Sequence, residues 1–153
     1  MSARSIADLV HREVPLLRED TRVDEALRVL MDSGLPALPV IDERERYTGI
    51  FGEREFIGAL FPAYVRELDD ASFIPKSIEA AFEKRAGCRA EPVSEHMNTE
   101  HVDVPPDFAD MQLAEIFLHH RVLIIPVTSD GSVQGVITRS EFFQALGQRF
   151  LDA

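Results

Sequence analysis

Apolar positions along this chain switch between a helical and an extended rhythm, and the same order of switches runs twice. In residues 21–60, Val23, Ala26, Leu27, Leu30 and Met31 fall at i, i+3, i+4, i+7 and i+8. That spacing predicts one apolar face of an α-helix, with Gly34 as its stop. Ala37-Leu38-Pro39-Val40-Ile41 is a short continuous apolar run and predicts a buried strand. A charged turn at 42–46 leads to a second strand at 47–51 and a helix over 53–60, with Pro62 just beyond. Residues 108–147 repeat this order. Leu113, Ala114, Phe117 and Leu118 form the helix face, residues 123–127 and 132–137 form a hairpin around Ser129-Asp130-Gly131, and a last helix opens near Arg139. Short leading strands are expected at 14–17, where Pro15 cannot donate to a ladder, and at 102–104. Val127 lies 87 positions beyond Val40 and Gly135 lies 86 beyond Gly49, so the first copy has one extra residue in its turn. Each copy therefore reads β-α-β-β-α. Two such units bury their apolar faces against each other, and the groove between them is the natural place to look for function.

The flanks add less. Residues 3–12 predict a short helix. The connection over residues 63–92 is longer than a plain loop and carries its own helix signal: Ser77 as cap, Ile78, Ala81 and Phe82 on one face, and Gly87 as closer. The expected division is 5–62 for the first unit, 63–90 for a helical insertion and 91–150 for the second unit.

Composition narrows the function classes. The chain has 153 residues, 45% of them hydrophobic and 28% charged, which fits one shared core. Its net charge of −11 argues against nucleic acid and anionic membrane surfaces, both of which call for a basic face. No run of about 18 apolar residues offers a membrane span, and the N-terminus lacks the apolar stretch of a secretory signal. With Cys88 as its one cysteine, the expected compartment is a reducing cytoplasm.

An amphipathic helix, an apolar-Pro-Val strand, an Asp-bearing turn and a Gly-apolar-x-Thr-x-x-acid run opening a helix together resemble the CBS domain, named for cystathionine β-synthase. The likeness covers both copies. It implies an α+β fold of two tandem units related by a pseudo-twofold axis and packed through their sheets. It also implies a regulatory pair that dimerises and binds AMP, ADP, ATP or S-adenosylmethionine as a regulatory ligand between the units, with no cofactor required. Such pairs signal to a partner protein. This chain has no room for a fused enzyme or channel, so a stand-alone module is expected.

In that family the hydroxyl and acid of Gly-x-x-Thr-x-x-Asp sit where the last strand meets the last helix, near the phosphate and the ribose. Here the second copy reads Gly135-Val136-Ile137-Thr138-Arg139-Ser140-Glu141, with Glu141 in place of Asp. The first copy reads Gly49-Ile50-Phe51-Gly52-Glu53-Arg54-Glu55, with Gly52 in place of the hydroxyl and Glu55 in place of Asp. A carboxylate can accept two hydrogen bonds from a cis-diol, and a helix N-terminus favours an anion. Thr138-x-x-Glu141 is equally a capping box, in which the Glu is occupied without any ligand. Ala37, Pro39, Ile124 and Pro126 would line the grooves while serving as core. Arg139, Arg54 and Arg121 are candidate phosphate partners, since a guanidinium can grip two oxygens. The alternative is a degenerate, ligand-free pair that acts as a scaffold.

Other chemistry is thin. His119 and His120 adjoin on a helix and point about 100° apart, so they cannot clasp one metal. His96 and His101 flank a loop, Asp69-Asp70 and Asp103 with Asp107 read as solvated turns, and no His-Glu-x-x-His or cysteine cluster occurs, so no dedicated metal site is expected. No nucleophile elbow or phosphate loop appears, and Cys88 has no obvious His partner, so enzyme activity is not expected. Phe142, Phe143, Leu146, Phe150 and Leu151, with Phe56, Ile57, Leu60 and Phe61, exceed what one buried face needs and suggest a homodimer through these helices.

Overall fold

The computed structural model describes residues 5–61 and 77–153; Pro62 and the acidic pair Asp69-Asp70 lie outside the described residues. The first unit runs β1 (Leu17–Arg18), α1 (Val23–Ser33), β2 (Ala37–Ile41), β3 (Tyr47–Gly52) and α2 (Glu53–Leu60). The insertion contributes α3 (Ile78–Lys84) and the 3-10 turn Ala86–Ala90, and a second 3-10 turn, Val93–Glu95, follows it. The second unit has α4 (Asp110–His119), β4 (Ile124–Ser129), β5 (Ser132–Thr138) and α5 (Arg139–Asp152).

The two sheets repeat each other in detail. β2 and β3 pair antiparallel with Val40 opposite Gly49, and β4 and β5 pair with Val127 opposite Gly135. Each pairing slips just after that valine. β1 runs parallel to β2 with Leu17 beside Val40, and Val104 lies parallel beside Val127. The leading strands are shorter than their sequence suggests: two residues in the first unit and the single residue Val104 in the second. Proline is tolerated in β2 because β1 pairs only Val40 and Ile41, leaving the missing N–H of Pro39 outside that ladder. Asp130 (φ 51°) and Gly131 (φ 81°) both adopt left-handed backbone, the geometry that a two-residue hairpin turn requires. The longer turn of the first unit is held instead by the Asp42 carboxylate, which accepts the Arg44 (2.8 Å) and Arg46 (3.0 Å) N–H groups.

The units exchange segments. The N-terminal stretch forms a 3-10 turn, Ile6–Leu9, rather than a longer helix. His11 then bonds into the second unit's sheet: its N–H donates to Val136 O (2.8 Å) and its carbonyl accepts from Val136 N (2.9 Å). At the twin position Asn98 does the same to Ile50 in the first sheet, at 2.8 and 2.9 Å. Gly135 and Gly49 are the contact points. A Cβ at Gly135 would stand 2.5 Å from His11 O, and one at Gly49 would stand 2.8 Å from Met97 Sδ and 2.9 Å from Asn98 O. The paired glycines exist because a crossing chain lies against each of them. The cores follow the exchange: Ile6 and Leu9 pack with Ile124, Val136 and Ile137, while Cys88 and Val93 pack with Leu38, Val40 and Phe51.

In the insertion, Ser77 Oγ accepts the Ala80 N–H (3.1 Å) and caps α3. The helix ends at Lys84, and Gly87 falls inside the following 3-10 turn instead of closing it. Ala81 is buried, but Ile78 and Phe82 are exposed among the described residues.

Candidate functional site

A groove of about 930 Å³ opens between the units. The first unit supplies Leu27, Leu30 and Met31 from α1, Leu35 and Pro36 from the loop behind it, and Glu53, Phe56 and Ile57 from α2. The second unit supplies Thr138, Ser140 and Glu141, and the crossing segment supplies His11. Both halves owe their place to a sharp strand-to-helix transition. Glu53 N–H donates to Pro36 O (3.0 Å) and, at the twin position, Arg139 N–H donates to Leu123 O (2.9 Å), so each closing helix starts directly off its sheet.

Thr138 caps α5. Its buried hydroxyl accepts the Glu141 N–H (3.2 Å) and donates to Glu141 Oε1 (2.8 Å). The same Glu141 oxygen pairs with His11 Nε2. Glu141 thus lines the groove, tied to two neighbours. His11 was not foreseen, because nothing local in the sequence says that residues 6–11 cross to the other unit. In the first unit Glu55 Oε1 accepts the Gly52 N–H (2.9 Å), and burial pushes its carboxyl above the ordinary 4.5.

The remaining candidates are spread out. Ala37 and Ile124 are fully buried in the central cluster, and Pro39 and Pro126 are buried in their strands. Arg54, Arg121 and Arg139 are exposed. The dyad relates them to the described groove: Ser140 maps to Arg54, Gly34 to Arg121 and Glu53 to Arg139, while Thr138 maps to Gly52 and His11 to Asn98. Three groove positions, Ser140, Gly34 and Glu53, thus have an arginine as their twin, while Glu141 has Glu55. Phe117 and Phe142 stand in the places of Leu30 and Phe56, with their ring centroids 5.4 Å apart.

Histidines pair with acids elsewhere too. His120 Nδ1 lies 2.6 Å from Glu100 Oε2, and the His101 ring meets Tyr47 edge-on at 6.0 Å. Burial, with the Asp103 charge nearby, pushes the Tyr47 phenol well up, and its hydroxyl donates to Val102 O (3.0 Å). Cys88 does have a histidine partner, contrary to the sequence reading: Sγ lies 4.0 Å from His96 Nε2. Burial pushes this thiol up, opposite to what an activated nucleophile needs.

A CBS domain family model matches residues 6–62 and 93–148. Among solved structures, the CBS-pair protein CBSX2 from Arabidopsis thaliana superposes with a TM-score of 0.71 at 19% identity, over 99% of this chain and all 100% of that one. The CBS domain of a CBS-domain-containing membrane protein from Sphaerobacter thermophilus superposes at 0.66 with 25% identity, over 92% and 86% of the two chains. CBSX2 in complex with AMP matches at 0.66 with 20% identity, over 94% and 96%. An A-adding tRNA nucleotidyltransferase from Aquifex aeolicus is 24% identical over 141 residues; the match takes in 92% of this chain but only 14% of that much longer protein. With both copies matched, the chain belongs to the CBS domain family.

Proposed function

We propose that this CBS pair is a regulatory, non-catalytic module of the cytoplasm that binds an adenine nucleotide or a related adenosyl ligand between its units and passes the change to a partner protein. The observation that carries the reading is the shared ownership of the groove. Leu30, Pro36 and Phe56 come from one unit and Thr138 and Glu141 from the other. A ligand seated there touches both units and favours whichever packing it binds better. The apolar wall suits a purine face, and the Glu141 carboxylate suits a ribose diol. The first groove carries acids and no arginine or lysine among its described lining residues, so it suits the nucleoside end or a cationic adenosyl group. Arg54, Arg121 and Arg139, exposed at the twin positions, are the partners we propose for phosphates. AMP in CBSX2 supports the ligand class.

The module acts as a homodimer. Phe142 is buried, but Phe143 is 71% exposed and Phe150 81% exposed, with Leu146, Leu151 and Ile57 also uncovered. Exposed large apolar side chains concentrated on one helix suit a face that a second copy covers. Calorimetry with AMP, ADP, ATP and S-adenosylmethionine tests the binding. One or more should give saturable heat, and Glu141→Gln should weaken it roughly tenfold, about 1.4 kcal/mol. No heat and no thermal shift at millimolar ligand rejects the reading. A second reading, the ligand-free scaffold, is favoured by one observation: Glu141 Oε1 is already held by His11 and Thr138. It predicts a dimer in sedimentation whose melting temperature ignores all four compounds.

A further inference from the structure

Away from the groove, three side chains of different donor type converge where the insertion meets the crossing segment. Cys88 lies in the turn Ala86–Ala90, Glu91 directly follows it, and His96 directly follows the turn Val93–Glu95. The two turns fold this stretch back on itself. His96 Nε2 lies 3.0 Å from Glu91 Oε1 and 4.0 Å from Cys88 Sγ, and the three donor atoms all lie within 4.8 Å of one another. The backbone is pinned on both sides: Val23 N–H donates to Glu91 O (2.9 Å) and Val93 N–H to Thr21 O (2.8 Å).

We infer that Cys88, Glu91 and His96 form a three-ligand site for a borderline-soft divalent cation of the zinc class, with the fourth position open to water. The donor set decides the class. Thiolate, imidazole and carboxylate together suit zinc, whereas calcium and magnesium take oxygen alone. Bonds of about 2.3 Å to sulfur and about 2.0–2.2 Å to nitrogen and oxygen put tetrahedral donors roughly 3.4–3.6 Å apart. The 3.0 Å separation must open and the 4.0 Å separation close by about half an ångström each to meet that spacing, within reach of side-chain rotation. The metal replaces the proton on Cys88 Sγ, which leaves to solvent; His96 gives its neutral Nε2 lone pair and Glu91 its carboxylate.

The surroundings fit. Cys88 is 4% exposed and the His96 side chain 14%, so the donors are shielded, while Cys88 also borders a cavity of about 340 Å³ through which an ion can enter. Arg85 holds the outer shell, with Nε donating to Ala59 O (2.9 Å) and Nη2 3.5 Å from Glu91 Oε1. Its charge opposes the cation, so the site is weaker than a closed structural zinc site. An ion here clips α3 and its turn to the segment that Asn98 threads into the first sheet.

The test uses the full chain, stripped by chelator and titrated with Co²⁺ or Zn²⁺ alone. One equivalent of Co²⁺ should give a cobalt–thiolate charge-transfer band, Zn²⁺ should displace it, and Zn²⁺ should raise the melting temperature by mass action. Cys88→Ser should abolish the band. Glu91→Gln and His96→Gln, both less buried, should weaken binding at least tenfold. His120→Gln, at the two-membered pair with Glu100, should change nothing. Absence of the band, or unchanged Co²⁺ affinity in the His96 and Glu91 variants, overturns the proposal.

Discussion

Replacing Gly52 by threonine would restore the residue type that Thr138 supplies in the second copy, and the structure says the fold will not accept it. The backbone conformation is no obstacle, since φ is −156° and extended. The obstacle is space. A Cβ at Gly52 would lie 2.4 Å from Ala37 Cβ, 2.5 Å from Pro36 O and 2.6 Å from Ala37 Cα, where ordinary contact needs 3.4 Å or more. None of these atoms is the end of a flexible side chain. Ala37 is the direct strand partner of Gly52, so β2 and β3 must spread by about an ångström. Overpacking of this kind costs about 1–3 kcal/mol. Spreading also strains the hydrogen bond that crosses the gap, Glu53 N–H to Pro36 O (3.0 Å), worth about 0.5–1.5 kcal/mol. Together the loss is roughly 1.5–4.5 kcal/mol, which for a chain of this size lowers the melting temperature by roughly 3–18 °C. Urea and thermal denaturation of Gly52→Thr measure it. A variant within about 0.5 kcal/mol of the parent would refute the argument that the first copy's hydroxyl position is filled by its neighbours rather than merely vacated.

Two more predictions follow from the same packing. Gly135→Ala should destabilise by about 2–4 kcal/mol, because its Cβ would stand 2.5 Å from the His11 carbonyl, and Gly49→Ala by less, because the backbone oxygen there, Asn98 O, lies farther off at 2.9 Å and the Met97 sulfur at 2.8 Å can yield; equal losses in urea titrations would count against this. Glu55→Gln tests the buried carboxyl. Burial raises its pKa in the folded state above 4.5, so the folded chain holds that proton more tightly than the unfolded chain, and the parent loses this stability as pH rises through the window just above 4.5. Glutamine removes the loss, so the variant should gain on the parent as pH rises above 4.5, measured as the difference between paired urea midpoints; a gain independent of pH would contradict the sign.

Much of this was legible because periodicity and duplication are local signals. α1, the two hairpins and the start of α5 follow directly from the apolar spacing and from Gly34, Asp130 and Gly131. The exchange of residues 6–11 and 93–98 was not legible, because a bridge between His11 and Val136 joins positions 125 apart and leaves no local pattern. The visible trace was the glycine pair Gly49 and Gly135, which duplication alone made conspicuous and which only the crossing chains explain. The same cause hid Cys88 from His96: each looked solitary until two 3-10 turns, which carry weak sequence signals, folded them together. Gly52 was readable as a missing hydroxyl but not as a close approach, since sequence does not show how near Pro36 lies.

Duplication followed by divergence also bears on what the pair can sense. A strictly symmetric pair offers the same groove twice and can report only how much of one ligand is present. Here the dyad exchanges Thr138 for Gly52, His11 for Asn98, Gly34 for Arg121 and Glu53 for Arg139. The described groove is acidic with an apolar wall, whereas the twins of Ser140, Gly34 and Glu53 are the exposed Arg54, Arg121 and Arg139. A phosphate beside Glu53 and Glu141 is repelled and one beside an arginine is held, so under the proposed function ligands that differ in phosphate content would sort between the two sets of positions. His11 reaches the described groove from a segment of the first unit that bonds into the second sheet, and Asn98, its twin, bonds into the first. On the proposed function, a ligand that takes Glu141 from His11 therefore acts where the first unit's N-terminal segment is held by the second unit's own strand and helix, so the strain it applies falls on the joint between the two units.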